Sequence, residues 1–241
     1  ELYATRSPEE YNAAMESTLT AFYTPPVVIK AMYEALDRLA FSQGNILEPS
    51  CGTGNFFGLL PESMAGSKLH GVEIDPLTGR IAKQLYQKAN IAIEGFEQTK
   101  LPDNHFDVVI GNVPFGEIRV NDSRYNAQKF LIHDYFFAKA LDKVRAGGVV
   151  MFITSKGTMD KASPEVTSDI LILQKRDRVI DVEPDWVYLD TDENGVTMNS
   201  YFIQHPEMVL GQMRLESTRF GKSEPACKAY EDKSLSEQLH N

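Results

Sequence analysis

The chain has 241 residues, 42% of them hydrophobic, which suits one sizeable core with appendages. Its formal net charge of −10 argues against a stand-alone nucleic-acid clamp, which carries a strong basic footprint, but not against nucleic acid held by a local basic strip or another domain. The two cysteines, Cys51 and Cys227, form neither a metal spacing nor a disulfide framework, and no apolar run reaches spanning length, so a cytoplasmic protein with no membrane partner is expected. The chain opens at Glu1 without a methionine or a signal-peptide pattern and is read as a piece of something longer.

Residues 1–22 are polar and read as an N-terminal extension. "YTPPVVIKAMYEALDRL" predicts a helix capped by Thr24, with Pro25 in its first turn and Ile29, Met32, Leu36 and Leu39 along one apolar face. The apolar runs "NILEPS", "KLHGVEID", "NIAIEG", "FDVVIGN" and "VVMFITS" then predict strands. They alternate with the helical patterns "PLTGRIAKQLYQKA" and "AQKFLIHDYFFAKALDKV", which places the chain in the α/β class with a mostly parallel sheet. "TSDILILQKR" reads as one more strand. From Asp181 the texture turns acidic, turn-rich and poor in helical period. Residues 181–241 are expected to form an irregular appendage packed through Trp186, Tyr201 and Phe202, its last twenty residues marginally ordered.

Three stretches carry chemistry. In "LEPSCGTGNFFG", Gly52 and Gly54 let the backbone turn tightly and approach a ligand outside the carboxyl end of a strand. It is not the dinucleotide fingerprint: the third glycine is missing, and Glu48-Pro49 before the turn suits a cationic ligand better than a pyrophosphate. In "GVEIDP", Glu73 falls about twenty residues past the glycine turn, the offset at which an acid accepts from ribose hydroxyls. Ile74 can pack on a base, and Asp75 before Pro76 reads as a helix cap. In "VVIGNVPFGE", an apolar run ends in Asn112, Val113, Pro114 and Phe115. Pro114 restricts residue 113 to the extended region.

Other polar residues have plainer readings. His133 lies within an aromatic helical stripe and reads as a core or hydrogen-bonded histidine. Cys51 fits the glycine turn as a small side chain, and Asp190, Asp192 and Glu193 read as a solvated loop. Lys156, Lys161, Lys175, Arg176 and Arg178 are weighed as a basic strip beside the catalytic face or as a solvated surface.

Thr24-Pro25-Pro26, Leu47 to Phe56, Gly71 to Pro76 and Asn112 to Phe115 follow the order and spacing of the S-adenosylmethionine-dependent amino-methyltransferases whose signature is Asn-Pro-Pro-Tyr/Phe. The chain resembles their N6-adenine DNA class over roughly Tyr23 to Arg178. The runs "LIHDYFFAKALDKVRAGG" and "ITSKGTMDK" are similar to the methylase domain of large helicase–methylase proteins of bacterial mobile elements.

The resemblance implies a Rossmann-like class I methyltransferase fold over 23–180, with helices on both faces and an antiparallel last strand. It implies S-adenosylmethionine held by Thr24, Pro25, Glu48, Pro49, Cys51, Gly52, Gly54, Phe56, Glu73, Ile74, Asn112 and the Phe96-Glu97 loop. It makes Asn112, Val113, Pro114 and Phe115 catalytic, with adenine in DNA as the acceptor and a helicase or specificity module as target-recognition partner. Two departures stand out. Val113 replaces the family's proline, and Pro164 runs into Glu165 with no room for the further helix and strand that usually precede the last antiparallel strand, so residues absent from this sequence are expected at that join. An RNA base or a protein glutamine as acceptor, or a degenerate structural module, are the competing readings.

Overall fold

The computed structural model describes residues 24–155, 168–178, 187–217 and 223–240. The N-terminal extension, the Pro164–Glu165 join, Lys156, Lys161 and Trp186 lie outside the described residues. The described residues fall into two compact units, 24–155 with 168–177 and the remainder from 178 onward.

The first unit begins with α1 (Pro26–Arg38), which buries Ile29, Met32, Tyr33 and Leu36. Each such side chain contributes roughly 1.5–3 kcal/mol of burial. Pro25 itself takes the capping position, with no side-chain cap bond, so Thr24 is not the helix cap expected from its place in the sequence. Leu39 falls past the helix end and is 52% exposed, and Tyr33 fills the face in its stead.

Strands β1 (Asn45–Glu48), β2 (Lys68–Glu73), β3 (Asn90–Ile93), β4 (Phe106–Asn112), β5 (Val144–Ser155) and β6 (Ser168–Gln174) form one sheet in the order β3-β2-β1-β4-β5-β6. All neighbours pair in parallel except β5 and β6, which are antiparallel. The sheet is therefore mostly parallel, as the sequence predicts, with the antiparallel last strand that the resemblance implies, and β6 follows β5 directly in the sheet.

Alternation along the central strands builds a core on each face. Ile46, Val108, Ile110, Val149 and Met151 pack with α1. Leu47, Val109, Val150 and Phe152 pack with Tyr135, Phe136 and Ala140 of α2 (Ile132–Lys143). That helix starts later than its apolar pattern, because Lys129 turns into the left-handed region at φ 55 and ends a short 3-10 turn over Asn126–Gln128. Between β2 and β3, α3 (Pro76–Leu85) is capped by Asp75, whose carboxylate accepts from the N–H groups of Leu77 and Thr78.

The second unit is more regular than its composition predicts. β7 (Leu189–Thr191) pairs antiparallel with β8 (Thr197–Asn199), and β9 (Gln212–Ser217) with β10 (Ser223–Lys228). Asp192 accepts from the N–H groups of Asn194 and Val196, and Gly195 lies at φ 77. The Asn194-Gly195 pair is a hairpin signal. Tyr201 and Phe202 pack edge to face within α4 (Ser200–Gln204), and the tail forms β10 and α5 (Leu235–His240) where weak order is expected from its polarity.

Candidate active site at the carboxyl ends of the strands

Parallel pairing brings the carboxyl ends of β1, β2 and β4 to one edge, where Glu48, Glu73 and Asn112 end their strands. The turn after β1 is shaped by its glycines. Gly52 lies at φ 55 with open space where a Cβ would stand, and Gly54 at φ 86 with the Tyr86 ring against that position. The first is free for close approach of a ligand to the backbone; the second is demanded by packing as well as by φ.

Glu73 organises this turn. One carboxylate oxygen accepts from Gly52 N–H at 2.8 Å and the other from Asp75 N–H at 2.8 Å. Burial raises its pKa, and those two backbone donors pull the other way. The acid expected to meet ribose hydroxyls thus also ties the glycine turn to the end of β2. Ile74 beside it is 68% exposed at the strand end.

Glu48 has no such support. It is buried, and its Oε2 has no hydrogen-bond partner among the described residues. Burial, and secondarily the charge of Glu73, raises its pKa well above the carboxylate range. A buried acceptor without a donor is costly. A cationic group placed beside it would supply both donor and counter-charge, so the residues present fit the ammonium end of an amino-acid-bearing cofactor. Pro49 after it is buried.

Asn112 is fixed on two sides. Its Nδ2 donates to Thr24 Oγ1 at 3.2 Å, and its main-chain carbonyl accepts from Ser50 Oγ at 2.9 Å. Thr24 therefore bonds the strand end instead of capping α1. Val113 is buried, and its N–H donates to the Ile153 carbonyl at 3.2 Å, extending the β4–β5 ladder by one residue. Pro114 and Phe115 are half-buried beyond it.

Two sequence candidates are core residues. Phe96 is 2% exposed, with its ring against Tyr135 and Phe136 and under the Lys139 ammonium at 5.0 Å. Phe56 is likewise buried, and its carbonyl accepts from Tyr33 OH at 2.9 Å, tying α1 to the glycine turn. Glu97 is half-buried, and its carbonyl accepts from Lys139 Nζ. Cys51 is buried, and burial raises its thiol pKa far from the reactive range.

The basic strip takes another form. Because β6 runs antiparallel, Lys175 lands at the amino ends of the parallel strands, opposite Asn112. Its ammonium is consumed by Asn104 Oδ1 and the carbonyls of Leu141 and Val144, where it closes the end of α2. His133 approaches Asp134 at 3.5 Å, and its Nδ1 is buried without a hydrogen-bond partner among the described residues. Ser50 and Lys139 lie inside quoted motifs without standing out there, and Asp122 lies in none; the three are identified by their bonds to Asn112, to Asp122 and to Tyr135.

The fold and the chain have known relatives. A candidate class I S-adenosylmethionine-dependent methyltransferase from Listeria monocytogenes superposes with a TM-score of 0.52 at 23% identity, covering 67% of this chain and 62% of that one. Defense against restriction protein B of Escherichia phage P1 is 34% identical over 141 residues, 56% of this chain and 6% of that protein. Type II methyltransferase M.CvrRI of Paramecium bursaria Chlorella virus XZ-6E is 37% identical over 94 residues, 39% of this chain and 24% of that protein. The chain thus spans less than a quarter of the length of either curated relative. The pattern of the Eco57I restriction-modification methylases matches residues 63–185, just over half of the chain. On that match the chain belongs to the Eco57I restriction-modification methylase family, whose methyl donor is S-adenosylmethionine.

Proposed function

We propose that this chain is a DNA adenine methyltransferase domain that methylates the exocyclic amine of a base drawn out of its duplex. The observation that carries the reading is the Asn112 amide at the end of β4, held through its Nδ2 by Thr24, with Val113, Pro114 and Phe115 next in the chain. The names of the relatives, a type II methyltransferase and a modification methylase among them, support DNA as the substrate.

The amine of adenine is a poor nucleophile because its lone pair is delocalised into the ring. Two acceptors aimed at its two hydrogens draw that lone pair out of conjugation. Asn112 supplies one through Oδ1, since its Nδ2 is committed to Thr24. The Val113 carbonyl supplies the other; any residue has one, so valine in place of proline keeps the chemistry. Phe115 offers a ring on which the extracted base stacks. S-adenosylmethionine supplies the electrophilic methyl group. Glu48 holds its ammonium, Glu73 meets its ribose hydroxyls, and the Gly52 backbone lets it approach. Catalysis is then positioning with stabilisation of developing charge, and no covalent enzyme intermediate forms.

Transfer of labelled methyl groups to four acceptors tests this: an adenine-containing duplex, the same duplex with purine lacking the amine at every adenine, an RNA copy and a glutamine peptide. Transfer to the first alone is expected. Transfer to RNA or peptide but not to adenine DNA would overturn it.

A further inference from the structure

The segment after the catalytic turn, residues 116–131, is a built structure. The N–H of Ile132 donates to the Ile118 carbonyl at 2.8 Å and closes it. It is anchored from beneath by charge. Asp122 Oδ2 accepts from Lys139 Nζ at 3.0 Å and Tyr135 OH at 2.8 Å, an ion pair whose partners are 5% and 11% exposed. Arg124 bridges Asp103 at 2.7 Å and Asp142 at 2.8 Å, and Tyr125 OH donates to Asp142 at 2.6 Å.

These anchors leave a cleft of about 300 Å³ lined by Arg119, Asn121, Tyr125, Asn126, Lys129 and Phe130. The bond between Ile118 and Ile132 holds Arg119 near the first turn of α2, whose amino end lies at the carboxyl edge of the sheet, the edge on which β4 ends in Asn112. The charges divide by role. Asp122 and Arg124 are spent on the anchors, whereas Arg119 and Lys129 line the cleft and form no ion pair among the described residues. No carboxylate lines it.

Resting on the DNA-methylation reading above, we infer that this cleft binds the phosphodiester backbone of the strand that carries the target base. Phosphate oxygens are met by cations and side-chain amides, the polar groups the cleft presents. It also answers where a chain of net charge −10 gains its hold on DNA, since Lys175 is consumed at the opposite end of the sheet.

The test is the double variant Arg119→Ala, Lys129→Gly in the intact protein. Glycine suits the left-handed backbone at 129. Binding to a fluorescent adenine-containing duplex is followed by anisotropy across a potassium chloride series, with cofactor affinity by calorimetry and thermal unfolding as controls. Each phosphate contact contributes about 0.9 to the salt slope, so the slope should fall by about 2 in magnitude, for cognate and scrambled sequences alike. Cofactor affinity and unfolding midpoint should hold. An unchanged slope, with a parent that methylates DNA, would overturn the cleft assignment and leave the methylation reading standing. Lost cofactor affinity with an unchanged slope would move the pair to the cofactor site and also overturn it. A parent that neither binds nor methylates DNA would bring down both.

Discussion

The side-chain nitrogen of Asn112 donates to the hydroxyl of Thr24 at 3.2 Å, joining two positions 88 residues apart. An amide can present oxygen or nitrogen to the same point by turning over, and only one orientation accepts a proton from a target amine. In the structure the Thr24 hydroxyl takes the nitrogen, which ties the threonine-proline pair before α1 to the end of β4.

Replacing Thr24 by valine keeps the shape and removes the acceptor. The methyl-transfer rate should fall by up to about tenfold, as one neutral hydrogen bond contributes roughly 0.5–1.5 kcal/mol. Thr24→Ser should retain the rate. Single-turnover kinetics of both variants checks this, and equal rates for valine and parent would free Asn112 from Thr24.

Glu48 sets a pH dependence. Its folded pKa lies above the ordinary 4.5, so below that pH it is protonated in both states and costs nothing. As pH rises above 4.5 the unfolded chain ionises first, and stability is lost until the folded pKa is passed. Glu48→Gln cannot ionise there. It should match the parent in thermal unfolding near pH 4 and exceed it increasingly toward neutral pH. It should also lose about tenfold or more in cofactor affinity, since a hydrogen bond to a charged group contributes roughly 1.5–3 kcal/mol. Parallel unfolding curves for the two proteins across pH would contradict the buried-acid account.

Glu73 acts on the loop and the ligand together. Glu73→Ala strips Gly52 and Asp75 of their acceptor, so it should lower the unfolding midpoint as well as weakening cofactor binding by about tenfold or more. Calorimetry and thermal unfolding on one preparation read both effects. A stability loss with unchanged affinity would reduce Glu73 to a prop.

Restoring the family's proline at position 113 should not improve the enzyme. The Val113 N–H donates to Ile153, and proline has none. Val113→Pro should cost roughly 0.5–1.5 kcal/mol, read by denaturant unfolding, with no gain in rate. A more stable or faster variant would show that this bond contributes nothing.

The strands and the strand-end motifs were legible because their signals are local. Alternation sorts Val108 and Ile110 from Val109, and Asp75-Pro76 marks a capped helix. What failed to show was tertiary. Nothing near Thr24 distinguishes a helix cap from a partner for Asn112, since both use the same hydroxyl. Phe96 has the composition of a ring-stacking residue, and only the packing of Tyr135, Phe136 and Lys139 around it reveals a core position. Lys175 reads as surface charge until the antiparallel course of β6 delivers it to the end of α2. The β7–β8 hairpin was within reach, because Asn194-Gly195 is a hairpin signal lying in an acidic stretch that masked it.

The central claim rests on the Asn112 acceptor, and single-turnover methylation of adenine-containing DNA by Asn112→Ala tests it most directly. The account predicts a rate lower by on the order of a hundredfold or more, as for loss of one transition-state hydrogen bond, with the fold and most cofactor affinity intact. A variant that transfers methyl groups as fast as the parent would reduce "VVIGNVPFGE" to a strand-ending turn and contradict the catalytic reading.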